Sequence, residues 1–261
     1  MNLNNYDIIL INSSAGKDSQ AMMHHLVEMA DMQKVSRDKL VVVHADLGKA
    51  EWKGTRELAE KQAAMYGLDF RAISRDQDLL DQIRHRGMWP SSTARYCTSD
   101  HKRGQIAKVM TQLVREADQK EPVKILNCLG LRAQESSARA KKNVLERNKV
   151  ATGAGKKKIV DQWHPILDWS EAEVWAIIKE NNLPYHPAYD YGMPRLSCVF
   201  CVFAPKAALM IEGKHNPELL DEYCQIEEDI QHDFKFGFKI AEVRDALAQG
   251  ETVDSVPSWT M

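Results

Sequence analysis

The chain has 261 residues, 44% of them hydrophobic and 28% charged, with 35 Lys and Arg against 37 Asp and Glu and a net charge of −2. This is ordinary globular composition for one large domain, or a core with a small appendage. It excludes whole-chain disorder and a uniformly basic nucleic-acid coat. No apolar run approaches the roughly 20 residues of a membrane helix, so no membrane partner is expected.

The first residues have a short apolar stretch and no basic leader, which does not fit a signal peptide. Five cysteines (Cys97, Cys128, Cys198, Cys201, Cys224) are too few for a disulfide scaffold at this length. A reducing, cytoplasmic setting with thiols or metal ligands is expected.

Residues 6–12 (YDIILIN) form a short apolar run, predicted to be a buried strand. A small-residue loop at 13–16 follows, then a helix pattern with Met22, Leu26, Met29 and Ala30 on one face. Residues 40–45 (LVVVHA) predict a second strand, 55–66 a helix closed by Gly67, and 70–73 a weaker strand. Segments 76–85 and 102–117 read as helices, and 123–130 (VKILNCLG) as a fourth strand.

Strand–helix alternation with strands apolar on both faces predicts an α/β doubly wound, mostly parallel sheet. The alternative is an antiparallel α+β fold. Segment 139–158 carries eight basic residues against one acid, Glu146, and a GAG at 153–155, which predicts a mobile loop. Residues 159–166 are expected to hold a further strand. Ser170 opens a helix with Glu173 completing a capping box, and Leu183-Pro184 ends it. From Cys198 onward the chain reads as helical and acidic. The expected division is 1–196 as a nucleotide-binding α/β domain and 197–261 as a helical C-terminal region carrying the Cys-x-x-Cys.

The strongest chemical signal is strand, then Ser13-Ser14-Ala15-Gly16-Lys17-Asp18-Ser19, then helix. Small residues let backbone N–H groups close on an anion, and the helix N-terminus adds partial positive charge. Lys17 supplies a full charge, and Ser14 and Ser19 supply hydroxyls. A Walker loop is excluded: Ile11 stands where its first Gly would be and Asp18 where its Ser/Thr would follow Lys17. The competing reading is a tight turn with a polar cap.

Arg132 and Arg139 lie just past a predicted strand end, where open α/β sheets bind ligands, and guanidinium suits phosphate. Seven residues apart, they share a face if the segment is helical; ordinary solvated arginines are the alternative. Cys198-x-x-Cys201 can chelate a metal or cluster, while Cys128, inside a strand, reads as core.

The segment Ser14-Ala15-Gly16-Lys17-Asp18-Ser19 resembles the SGGKDS signature of PP-loop ATP pyrophosphatases. Further matches resemble the phosphoadenosine-phosphosulfate (PAPS) reductase family and its DNA-sulfur-modification relatives of the Dnd and Ssp type. These are His44-Ala45-Asp46-Leu47-Gly48, Arg95-Tyr96-Cys97-Thr98 with Lys102, the run from Gly130 to Arg139, His164-Pro165-Ile166-Leu167-Asp168-Trp169 with Val174-Trp175, Leu183-Pro184-Tyr185, and Cys198-Val199-Phe200-Cys201. Ala15 departs from the pattern, which has Gly there.

The resemblance implies an adenine-nucleotide alpha hydrolase-like (HUP-type) fold and an enzyme that cleaves ATP to AMP and pyrophosphate to activate a substrate for sulfur incorporation into nucleic acid. It implies Lys17, Asp18 and Arg132 as catalytic residues, and Ser14, Ala15, Gly16, Lys17, Ser19, Asp46, Arg132 and Arg139 as nucleotide-binding residues. Lys102 is a weaker candidate for phosphate contact. Mg²⁺ is implied, with Asp18 and Asp46 as candidate ligands; for Asp46 the alternative is a loop cap.

Cys97, Cys198 and Cys201 are implied as ligands of a [4Fe–4S] cluster, with Cys224 as a candidate fourth. Zinc, a redox thiol pair and inert buried cysteines are the alternatives. The expected partners are ATP, DNA or tRNA through 139–158, and a cysteine desulfurase as sulfur donor. The basic segment's alternative is a solvated loop. Rival functions are a PAPS or adenosine-phosphosulfate (APS) reductase and a non-catalytic nucleotide- or cluster-binding subunit. Thr98 after Cys97, and the lack of a cysteine after Cys224, fit both reductase subclasses poorly.

Overall fold

The structure, a computed structural model, describes residues 1–155, 157–257 and 259; Lys156, Ser258, Thr260 and Met261 lie outside the described residues. The described residues form two compact units. One comprises Met1–Ala45, Gly54–Ile73 and Gly104–His186; the other comprises Asp46–Lys53, Ser74–Arg103 and Pro187–Met261.

The first unit holds β1 (Ile8–Asn12), β2 (Leu40–Ala45), β3 (Asp69–Ile73), β4 (Val123–Leu129), β5 (Leu145–Arg147) and β6 (Lys158–Trp163). They pair in the order β3-β2-β1-β4-β6-β5, parallel except for β5, which runs antiparallel to β6. The α/β, doubly wound and mostly parallel reading therefore holds. Side chains alternate between sheet faces. Ile9 and Ile11 pack with Met22, Met23 and Leu26 of α1 (Lys17–Met32) on one face. Ile8 and Leu10 pack with Val109, Met110 and Leu113 on the other. Burial on both faces is why β1 and β2 read as unbroken apolar runs.

The first unit also holds α2 (Thr55–Ala64), with Gly67 in the left-handed region at φ 64° beyond its end. The second unit contributes α3 (Leu79–Arg86). Then come α4 (Gly104–Ala117) and α5 (Glu171–Glu180), whose capping box between Ser170 and Glu173 forms as its sequence predicts.

One expectation is corrected and one is met over a shorter span. The basic stretch is not a loop throughout. It contains short helices at Ser137–Ala140 and Lys149–Thr152 and the edge strand β5. Asn148 explains part of this order: its side chain caps the second helix through Ala151 N–H at 2.9 Å. The strand expected at 159–166 is β6, and it ends at Trp163.

In the second unit, α6 (Lys206–His215), α7 (Pro217–Ile230) and α8 (Ala241–Ala248) share a core with the two earlier segments. Trp89 lies at its aromatic centre, stacked on Tyr223 at 5.4 Å and edge-on to Phe234 at 5.1 Å. Among the described residues no helix is long and apolar enough to cross a membrane.

Candidate functional site

Between β1 and β4 the strand order reverses direction, so the chain leaves their C-terminal ends toward opposite sides and opens a crevice. The loop after β1 and the segment after β4 meet there. Gly130 follows β4, and a Cβ on it would lie 3.0 Å from Asp18 O and 3.1 Å from Ser19 Cα. A side chain would therefore push the end of β4 away from the first turn of α1.

The loop is held by its own serines. Ser14 N–H donates to Ser19 Oγ at 3.2 Å, Ala15 N–H donates to Ser13 Oγ at 3.2 Å, and Ser19 Oγ donates to Gly16 O at 2.9 Å. Ala15 takes φ 57°, a left-handed conformation in which glycine is relaxed and alanine is strained. Buried Gln62 of α2 donates to Ala15 O at 3.2 Å and braces that turn. Helix α1 begins at Lys17, and Gly16 at its N-cap brings no side chain to cap it.

Lys17 is buried at 2% exposure. Its Nζ lies 3.3 Å from Asp18 Oδ2 and 3.5 Å from Glu171 Oε1 at the start of α5. Arg132, also buried, pairs through Nε with Asp18 Oδ1, and its Nη1 donates to Gln134 Oε1 at 3.2 Å. Two cations and two carboxylates thus converge at one end of the sheet. Each Asp18 oxygen is engaged by a cation, Oδ2 by Lys17 and Oδ1 by Arg132.

Arg139 is not on one helix with Arg132. An extended Ser136 separates the turn at Ala133–Glu135 from the helix at Ser137–Ala140, and Arg139 pairs with Glu135. Asp46, in the second unit, accepts from Gly48 N–H at 2.8 Å and so caps its own loop.

The second unit holds a separate constellation. Cys97, Cys198 and Cys201 line one cavity with Leu79, Trp89 and Tyr223. The Lys102 ammonium is 3.7 Å from Cys198 Sγ. This places Lys102 beside sulfur. Negative charge at Cys198, opposed by burial, holds the Lys102 ammonium above its ordinary range. Burial pushes the Cys198 thiol up, an effect that Lys102 opposes, and pushes Cys201 up to about 12.

Three free thiols in an apolar wall beside a half-buried cation fit the ligand chemistry of an iron–sulfur cluster, which would displace their protons on binding. Cys224 faces elsewhere. Burial pushes it up to about 11, and the charges acting on it are those of Arg244, Glu227, Asp221 and Asp245. Its helical neighbour Tyr223 lines the cavity instead. Cys128 is fully buried in β4 and donates to Leu126 O at 3.7 Å, as a core residue does.

Sequence reasoning missed Glu171, Gln62 and Glu212. Glu171 was hidden inside a capping run and Gln62 inside an ordinary amphipathic helix. Glu212 carried a signal: a lone acid ends the apolar run Ala208-Leu209-Met210-Ile211.

Residues 8–204 match the phosphoadenosine phosphosulfate reductase domain family. An uncharacterised 37.8 kDa protein of Escherichia phage 186 is 29% identical over 131 residues, 50% of this chain and 36% of that protein. An adenosine 5'-phosphosulfate reductase of Allochromatium vinosum is 39% identical over 75 residues, 29% of this chain and 27% of that enzyme. The matched regions thus span well under half of these curated relatives. A solved U34-tRNA thiolase of Methanococcus maripaludis, with its [4Fe–4S] cluster, aligns over 95% of this chain and 75% of its own at 16% identity and a TM-score of 0.46.

Proposed function

The chain belongs to the phosphoadenosine phosphosulfate reductase domain family, and on that premise we propose that it cleaves ATP to AMP and pyrophosphate to activate an acceptor for sulfur incorporation. The observation that carries this reading is the buried Lys17 at the uncapped start of α1, with buried Arg132 tied to the same turn through Asp18. An acceptor oxygen attacks the α-phosphorus, the α–β bridging bond breaks, and negative charge grows on the departing pyrophosphate; AMP leaves with that oxygen when the sulfur nucleophile displaces it. Lys17, the first-turn N–H groups of α1, Gly16 and the Ser14 hydroxyl meet that charge while Ser19 braces the loop on Gly16 O, and preplaced donors of this kind lower such a barrier.

Ala15 supplies the left-handed bend that lets the loop close. Arg132 contacts phosphate, with Arg139 behind it on Glu135. Asp18 acts as a positioning residue that holds both cations. Asp46 remains a nucleotide-side candidate in the second unit.

In the second unit Cys97, Cys198 and Cys201 would hold a [4Fe–4S] cluster, which when bound supplies a Lewis-acidic site for sulfur. Lys102 balances the thiolate charge. The acceptor is a nucleic acid, in the first place the DNA backbone, as in phosphorothioation. The support is the exposed cations Lys141, Lys142, Lys149 and Lys157 in the basic segment. A cysteine desulfurase would supply the sulfur.

A second reading is favoured by the similarity to adenosine 5'-phosphosulfate reductases: the loop grips a sulfonucleotide and the thiols serve its reduction. Two assays separate them. Pyrophosphate release from ATP supports the first reading. Sulfite release from a sulfonucleotide with thioredoxin, and no pyrophosphate from ATP, replaces it with the second.

A further inference from the structure

The turn that carries Cys198 and Cys201 is bent at Phe200, which takes φ 53°, a left-handed conformation unfavourable for a bulky side chain. Something outside the turn must hold it. The Phe200 N–H donates to Glu212 Oε2 on α6 at 2.8 Å. From α7, Tyr223 Oη reaches Val199 O at 3.4 Å, a much weaker tie.

Glu212 is completely buried, and its Oε1 has no hydrogen-bond partner. A buried carboxyl with one idle oxygen is costly to stability. The return is local: its other oxygen fixes the backbone between the two cysteines.

We propose that Glu212 is the positioning residue of the Cys198-x-x-Cys201 turn, holding Phe200 left-handed so that both sulfurs face the cavity they share with Cys97. The inference rests on the thiol site of the proposed function and adds the group that sets its geometry. Burial raises the Glu212 carboxyl to about 8, opposed by the Phe200 N–H and by Lys235. At neutral pH the carboxyl is therefore mostly a neutral acid, with one accepting oxygen and little added negative charge beside the thiols. Glutamine copies that form in shape and in acceptor. Leucine copies only its bulk.

The test uses the metal-free, reduced 261-residue chain with Co²⁺ as the probe, read by thiolate-to-cobalt charge-transfer absorption. Amide exchange at Phe200 is followed in parallel. Glu212→Gln should bind Co²⁺ within about threefold of the parent and keep the Phe200 amide protected. Glu212→Leu should bind at least about tenfold more weakly, the size expected when a partner behind a metal ligand is lost.

A folded Glu212→Leu with parental affinity overturns the proposal, and so does a Glu212→Gln that loses tenfold. If Glu212→Leu does not fold, Glu212→Gln decides alone. If the parent binds no Co²⁺, the metal reading of the thiols fails. The positioning role is then still judged by Phe200: fast exchange in the parent rejects it, and protection kept in Glu212→Gln upholds it.

Discussion

Ala15 shows how a single methyl group is balanced. Its left-handed backbone costs about 1–2 kcal/mol, which glycine would relieve. Glycine would also lose a fully buried methyl worth about 0.8 kcal/mol and gain unfolded-state freedom worth about 0.5–1 kcal/mol. The terms nearly cancel, so Ala15→Gly should leave stability within about 1 kcal/mol. Ala15→Val adds a β-branch to the same φ inside a packed loop and should cost about 2 kcal/mol or more, measured by urea denaturation.

The thiols make a second residue-scale case. Serine at Cys97, Cys198 or Cys201 should strip most iron from anaerobically purified protein, because a hydroxyl is a poor ligand for soft iron. Cys224→Ser and Cys128→Ser should retain it, since Cys224 faces other charges and Cys128 sits in β4. Iron content is the readout, and equal iron in all five variants rejects the assignment.

At the scale of elements, legibility followed burial. Strands β1, β2 and β4 were readable because both sheet faces are covered, which leaves continuous apolar runs. Strand β5 was not: it is three residues, Leu-Glu-Arg, inside a basic stretch, and it exists because β6 offers it a pairing edge. The loop after β1 was legible because small residues and a lysine follow an apolar strand directly. The bond from Phe200 to Glu212 was not, because it joins a turn to a helix through tertiary packing alone.

Glu212 gives its element a pH signature. Its carboxyl is raised to about 8 in the fold and has an ordinary value when unfolded, so between the two the unfolded chain binds fewer protons. Stability from this group is complete below the ordinary carboxylate range and is lost as pH rises through about 8, with a slope of at most about 1.4 kcal/mol per pH unit. Urea midpoints should therefore fall from mildly acid to mildly alkaline pH in the parent and run flatter in Glu212→Gln. Parallel profiles would contradict this.

At the scale of the whole molecule, the net charge of −2 conceals an uneven distribution, with the 139–158 stretch strongly basic. Of its lysines, Lys158 is spent on Thr111 Oγ1 at 3.2 Å, while Lys141, Lys142, Lys149 and Lys157 are exposed. Replacing those four with alanine should weaken nucleic-acid binding equally across sequences. It should also flatten the salt dependence by up to roughly one unit per lysine that meets a phosphate. Unchanged affinity and slope would make the segment an ordinary solvated surface.

The second unit draws on three separate stretches of chain, so its thiols and Lys102 come together only in the fold; no local pattern carries that assembly. The central claim is that the loop after β1 breaks the α–β bond of ATP. It is tested most directly by counting AMP and pyrophosphate formed from ATP by the parent and by Lys17→Ala. The account predicts equal amounts of the two products from the parent, and at least a hundredfold loss in a Lys17→Ala variant that keeps its fold, the size expected when a preplaced donor is removed. Near-parental turnover by Lys17→Ala, or ADP and phosphate as the products, would contradict it.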